Sequence, residues 1–208
     1  MGKQIGIDST EKTEASNPGK TESATFGAGC FWCLDAVARR IAGITSSVVG
    51  YAGGEGPPPT YQDIHYSDRA RGFIEAVRLT FDPSVISYDD IVDLFFQSHD
   101  PTTPNQDGAN YGPAYHSTIF YESDVQRDTA KQAIEALSAK LGKQVVTTLR
   151  PFTVFYEAEN EHQNFFDRNP RSAYCRVIIE PKLKKLDLLR RDKAAGSELE
   201  VRRFRGKW

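Results

Sequence analysis

The sequence is short of the residues that define several classes of protein. Three cysteines in 208 residues are too few for a secreted disulfide framework, and their number is odd. They suit a reducing compartment, such as the cytoplasm, in which thiols do chemistry. No stretch approaches the roughly 20 apolar residues of a membrane span. The N-terminus lacks the apolar centre of a secretory signal, and Gly6 stands where an acylation signal that opens Met1-Gly2 wants Ser or Thr. Net charge is close to nil, −2 from 26 basic and 28 acidic residues, so nothing global favours nucleic acid or a membrane surface as partner. Methionine is confined to Met1, and no internal repeat is visible. A zinc site can be drawn from Cys30, Cys33, His162 and Cys175, but no second CxxC or CxxH pair supports it, so no metal is expected. His65, His99 and His116 are scattered and read as structural.

What is present describes an ordinary globular chain, 39% hydrophobic and 26% charged, long enough for one sizeable core. Residues 1–22, rich in Lys, Glu, Thr, Ser and Asn, read as a disordered leader or a cloning remnant. Residues 23–181 form the expected catalytic domain. Residues 182–208 form a basic C-terminal helix and tail. From Pro181 onward ten Lys or Arg oppose four Asp or Glu, which leaves the rest of the chain at −8. Within the domain, strands are expected over 24–29, 46–51, 73–81, 117–121 and 145–156, the last broken by Pro151, with a brief extended piece at 177–179. Helices are expected after Cys33, with Leu34, Val37, Ala38 and Ile41 on one stripe, and over 87–98, 123–141, 159–167 and 182–191. Ser123 and Gln126 have the spacing of a capping box. Strands and helices alternate without the spacing of a doubly wound sheet, so the fold class is α+β, a single domain with a mixed sheet and packed helices.

Chemistry concentrates in Gly29-Cys30-Phe31-Trp32-Cys33, where a strand turns into a helix. A spacing of three puts both sulfurs on one helix face, and a helix start favours a thiolate through its free N–H groups and dipole. Cys30 therefore reads as a nucleophile, against the alternative of two buried thiols. Glu75 alternates with Phe73, Val77, Leu79 and Phe81 and so lies on an apolar strand face. It is either an acid whose pKa burial raises or a strand-edge glutamate paired with Arg69 or Arg71. The polar loop 99–115 carries Asn110, Tyr111 and Tyr115 and is long enough to be functional.

Together these residues resemble the A-type peptide-methionine sulfoxide reductase family. Gly29-Cys30-Phe31-Trp32 is similar to its active-site signature. Val49-Gly50-Tyr51-Ala52-Gly53-Gly54, Pro59-Thr60-Tyr61, Glu75-Ala76-Val77, Phe81-Asp82-Pro83, His99-Asp100-Pro101-Thr102 and Phe155-Tyr156-Glu157-Ala158-Glu159 through His162-Gln163 follow its order, over residues 24–181. The resemblance implies a two-layer α/β roll that reduces the S epimer of methionine sulfoxide, free or in oxidised proteins. It makes Cys30 the nucleophile, Phe31 and Trp32 the wall that receives the substrate methyl, Glu75 the acid, and Tyr61 and Tyr115 donors to the sulfoxide oxygen. Asn110 stands where the family commonly has Asp, and Phe73 where it commonly has His. The chain is slightly longer between Tyr61 and Glu75. Cys30 would become a sulfenic acid, be resolved by Cys33 or Cys175, with Cys33 favoured, and be recycled by thioredoxin as external reductant. No bound cofactor and a monomer are expected. The alternative is a thioredoxin-like dithiol–disulfide oxidoreductase that uses Cys30 and Cys33, which would need a parallel βαβ setting.

Overall fold

A computed structural model describes residues 19–66 and 68–188; the leader up to residue 18 and the tail beyond residue 188 lie outside the described residues. In chain order the regular elements are β1 (Glu22–Gly27), α1 (Phe31–Ala38), β2 (Ile44–Ala52), α2 (Tyr61–Tyr66), β3 (Ile74–Phe81), α3 (Tyr88–Ser98), β4 (Gln106–Asp107), β5 (Asn110–Tyr111), β6 (Thr118–Tyr121), α4 (Asp124–Leu141), β7 (Thr148–Pro151), β8 (Phe155–Glu157), α5 (Phe165–Arg168) and α6 (Glu180–Lys185). The α+β architecture expected from the sequence is present. Six strands form one mixed sheet in the order β7-β6-β1-β3-β2-β8, with β4 and β5 as a separate hairpin. β6 and β7 are parallel, and the other pairs of the large sheet are antiparallel.

The sheet curls because the chain leaves it no alternative. β7 and β8 occupy opposite edges, yet only three residues separate Pro151 from Phe155. Six flat strands would hold their outer members about 24 Å apart, whereas four residue steps reach at most about 14 Å. The expected strand over 145–156 is therefore two strands, and the break at Pro151 is where the chain crosses from one edge to the other. The Arg150 guanidinium closes the curl by donating to the carbonyl of Gly53 at the end of β2. Gly53 has φ +81, and a Cβ there would lie 2.6 Å from the Phe120 ring, so the close approach needs glycine. Ala52, Ile74, Ala76 and Phe120 pack with Phe152 and Phe155 in one small cluster, and the helices cover the main core.

α1 is the central element. Leu34, Val37, Ala38 and Ile41 are buried as the stripe predicts, but so are Phe31, Cys33, Asp35 and Ala36. The expected amphipathic helix is thus enclosed on nearly every side, with Trp32 alone half-buried. Its one internal charge, Asp35, accepts from Arg39 Nε at 2.9 Å on both oxygens and from Ser47 Oγ at 2.6 Å.

Several local expectations change. β1 starts at Glu22 and ends at Gly27, two residues earlier than the pattern suggests, and residues 28–30 form the turn into α1. Ser123 caps α4 by accepting from the Gln126 N–H at 3.2 Å, but the Gln126 side chain does not return the bond. It accepts from the Glu122 N–H and donates to the Ser23 carbonyl, tying α4 to β1 in place of a reciprocal capping box. Leu141, at the end of the α4 stripe, is exposed. The helix expected over 159–167 contracts to α5, because Asn164 adopts φ +50 and interrupts the run. Loop 99–115 contains the β4–β5 hairpin and a helical turn, Pro113–Tyr115.

The extended piece expected at 177–179 is instead a wide π-type helical turn, Cys175–Ile179, running directly into α6. Cys175, Ile179 and Leu183 are four apart and have 0% exposure, while Val177 is 68% exposed. That is a helical period, whereas a strand would bury Val177 and Ile179 together. The helix expected over 182–191 begins earlier, with Pro181 in its first turn, and ends before Asp187, which has φ +55.

His99, at the end of α3, uses both ring nitrogens: Nδ1 donates to the Phe95 carbonyl at 2.9 Å, and Nε2 of the neutral ring accepts from Ser117 Oγ at 2.8 Å. Burial lowers its pKa to about 4. The unfolded chain then binds a proton between pH 6.5 and 4 that the folded chain refuses, so stability is lost as pH falls through that window. About 2 kcal/mol is expected to go, allowing for the partial exposure of the ring. Urea denaturation at pH 7 and pH 4.5 checks this: the difference should shrink in the His99→Gln variant.

Candidate active site

The turn between β1 and α1 builds the site. Gly29 has φ +72, and a Cβ on it would lie 2.1 Å from Cβ of Asp107, so only glycine lets the β4–β5 hairpin lie against this turn. Cys30 follows as the residue preceding α1, 3% exposed, and Cys33 lies one turn on, 1% exposed. The two sulfurs are in hydrogen-bond contact.

The electrostatics of this pair differ from expectation. A free helix N-terminus should favour a thiolate at Cys30, but its N–H groups are already taken. The Cys30 N–H points to Asp107 Oδ2 at 3.4 Å, and the Phe31 N–H donates to Glu75 Oε2 at 2.8 Å. Burial then pushes the Cys30 thiol well above the ordinary range, and the neighbouring Cys33 and Glu75 charges push it further. Cys33 moves the other way, because it accepts from Cys30 and feels the ammonium of Lys182. Of the two thiols, Cys33 is the more acidic.

Glu75 resolves the alternative left open by the sequence. It lies in the buried part of β3, opposite Tyr51 of β2, and is 2% exposed. Its partner is neither Arg69 nor Arg71: Oε1 is 2.8 Å from His65 Nε2 and Oε2 takes the Phe31 N–H. Burial raises its pKa, while the His65 and Phe31 contacts pull it down. Tyr61 and Tyr115 are raised first by burial and then by the Glu75 charge, which places both beside it. The longer segment between Tyr61 and Glu75 therefore still delivers Tyr61 to the site. α2 is anchored there by the Tyr61 N–H on Glu159 Oε1 at 2.9 Å.

Phe31 and Trp32 join an aromatic enclosure. Trp32 stacks on Phe165 at 3.9 Å, lies parallel to Tyr61 at 6.4 Å and meets Tyr174 edge-on at 5.3 Å. Phe31 lies 6.4 Å from Tyr61 and 5.6 Å from His162. Asn110 Nδ2 donates to Tyr174 Oη at 2.9 Å, and Tyr174 also reaches Cys30. Cys175, next in sequence, is buried at the start of its helical turn, with its N–H on Ser172 Oγ at 3.0 Å. It has no contact with Cys30 comparable to that of Cys33.

Several residues of the site escaped the sequence reading. His65, read as a scattered structural histidine, holds Glu75. Asp107, Tyr174 and Lys182 come from three distant segments; Lys182 Nζ lies 2.7 Å from both Asp107 oxygens. No spacing marks such a set, since each joins the site only through the fold. The position of Tyr174 next to Cys175 was the one available hint. Among the described residues, no group of three or more His, Cys, Asp or Glu is arranged to hold a metal ion. β1 and β2, which flank α1, pair only with antiparallel neighbours, so the CxxC pair lacks the parallel setting of the dithiol oxidoreductase alternative.

A buried thiol pair, a buried carboxyl and an aromatic enclosure at one helix start define a thiol-dependent oxidoreductase. Residues 22–194 match the family described as peptide methionine sulfoxide reductase. The peptide methionine sulfoxide reductase of Sulfolobus acidocaldarius is 47% identical over 164 residues, 79% of this chain and 92% of that protein. Among solved structures, reduced Mxr1 of Saccharomyces cerevisiae superposes with a TM-score of 0.70 at 32% identity, over 79% of this chain and 94% of that one. The same yeast protein in complex with Trx2 gives 0.50 at 28% identity, over 74% and 91%. The chain belongs to the peptide methionine sulfoxide reductase family, and it is an enzyme that reduces methionine sulfoxide.

The Lys182 charge is testable on its own. In Lys182→Met the absorbance of thiolate at 240 nm should develop at higher pH than in the wild type; an unmoved midpoint would show that Lys182 does not act on the thiol pair.

Proposed function

We propose that Cys30 is the nucleophile that attacks the sulfoxide sulfur of the S epimer, in free methionine sulfoxide or oxidised proteins, and that Cys33 resolves the product. The contact that carries this reading is the Phe31 N–H on Glu75, which holds a buried carboxyl next to the thiol pair. Bonding to the sulfoxide sulfur makes the Cys30 S–H strongly acidic, and its proton then passes to the neighbouring Cys33 sulfur. Glu75 gives a proton to the sulfoxide oxygen, with Tyr61 and Tyr115 as hydrogen-bond donors to the same atom. The sulfur–oxygen bond breaks, methionine leaves, and Cys30 carries the hydroxyl as a sulfenic acid. The wall of Phe31 and Trp32 receives the substrate methyl, and Asn110 acts on the site through Tyr174.

The Cys33 thiol then attacks the sulfenic sulfur, water leaves, and a Cys30–Cys33 disulfide remains. Contact between the two sulfurs favours Cys33 over Cys175, which core packing holds in its helical turn. An external thioredoxin returns the pair to dithiol by exchange; the yeast relative has been solved with Trx2. The enzyme then acts as a monomer with no bound cofactor, in the reducing cytoplasm where three free cysteines persist. No helix among the described residues is long and apolar enough to cross a membrane.

Cys30→Ser should abolish formation of methionine from the S sulfoxide, and substantial remaining turnover would remove Cys30 from its role. Glu75→Gln should slow the single-turnover rate by about 10²- to 10⁴-fold. Peptide mass spectrometry after one turnover without reductant should find Cys30 linked to Cys33; a Cys30–Cys175 link would reassign the resolving thiol.

A further inference from the structure

Glu75 is held on both oxygens, and the two holders differ in kind. The Phe31 N–H on Oε2 is a fixed backbone donor, whereas His65 Nε2, 2.8 Å from Oε1, belongs to a group that can itself carry a proton. The His65 ring also lies 4.3 Å from that of Tyr61 and 5.2 Å from that of Tyr115. All three groups assigned to the sulfoxide oxygen thus converge on one imidazole. The Glu75 side chain keeps 2% of its exposure and the His65 side chain 8%, so the histidine lies nearer to solvent.

We propose that His65 is a positioning residue of the reductase, whose Nε2 orients the Glu75 carboxyl and shares with it the proton delivered to the sulfoxide oxygen. The inference rests on the reading of Glu75 as the acid. A carboxyl left ionised in so buried a place is costly, and a mere hydrogen-bond donor would not restore its proton. With one acidic proton on the pair, transfer to the sulfoxide oxygen leaves a carboxylate and a neutral imidazole. The imidazole regains a proton from water and returns the pair to its starting state, so each turnover consumes one proton through His65.

Other groups face this pair from every side. Tyr51 comes from β2, Tyr61 and Tyr66 from α2 itself, Tyr115 from the turn after β5 and His162 from the segment after β8, and Cys30 and Asp107 act on Glu75 from the turn before α1 and the hairpin. None of them is placed within hydrogen-bond distance of Glu75 Oε1 among the described residues, where His65 is.

Two groups that share one proton hold it to higher pH than the carboxyl does with an uncharged partner. The single-turnover rate of methionine formation, measured from pH 5 to pH 9, tests this. In His65→Gln, which keeps a donor for Oε1 but cannot titrate, the alkaline limb should move down by about one pH unit or more. His65→Asn serves equally should the glutamine variant fail to fold. A uniform loss of rate with an unmoved limb would show a purely structural role and overturn the proposal. On the wild type, a strongly downfield imidazole proton should be visible by NMR and should move upfield in Glu75→Gln; a resonance indifferent to that change also overturns it. Should Glu75→Gln keep the wild-type single-turnover rate, the acid reading fails and His65 falls with it. A slow Glu75→Gln beside an unmoved limb in His65→Gln sinks the histidine alone.

Discussion

A buried carboxyl group must be bonded at both oxygens, and the way Glu75 meets that requirement organises the site. Its Oε2 takes the N–H of Phe31, the first residue of α1, at 2.8 Å. This bond ties the middle of the sheet to the start of the central helix. It fixes the acid at the residue that follows Cys30. Because it uses a helix N-terminal donor, it also removes part of the field that would otherwise favour a Cys30 thiolate. One hydrogen bond therefore sets the carboxyl beside the thiol pair, where its charge adds to the burial that raises the Cys30 pKa.

The rest of the fold serves to bring side chains to this junction. The curl forced by the three-residue crossover between β7 and β8 draws the segment after β8, with Glu159 and His162, to α2 and α1. Loop 99–115 folds back as a hairpin, so that Asp107 reaches the Cys30 N–H and Asn110 reaches Tyr174. From the other end of the chain, Lys182 on α6 closes on Asp107. The charge it places near Cys33 adds to the hydrogen bond from Cys30 in lowering that thiol's pKa against its burial.

Much of this was legible in the sequence, for reasons that differ by residue. Cys30 and Cys33 stand at a spacing that suits one face of a helix start, and Glu75 alternates with apolar residues along a strand, although the sequence left its partner open. Local patterns of this kind depend on the period of the backbone, which neighbours in sequence share. The errors fall where local signal was ambiguous. Val177-Ile178-Ile179 suits a strand by composition, but burial of Cys175, Ile179 and Leu183 on one stripe makes it helical. The run over 145–156 suits one strand, yet the topology divides it between two edges.

By itself the sequence determined the α+β class and the resemblance to a reductase family, and it singled out Cys30, Phe31, Trp32 and Glu75 as candidates, because each is written in residues that are close together or in a fixed order. Tertiary structure alone decided which of the two thiols is the more acidic, which histidine holds the Glu75 carboxyl, and which of two cysteines touches Cys30. Those outcomes depend on burial and on charges brought together from β3, the β4–β5 hairpin, α2 and α6. Desolvation and Coulomb interaction act through space over a few ångströms and take no account of separation along the chain.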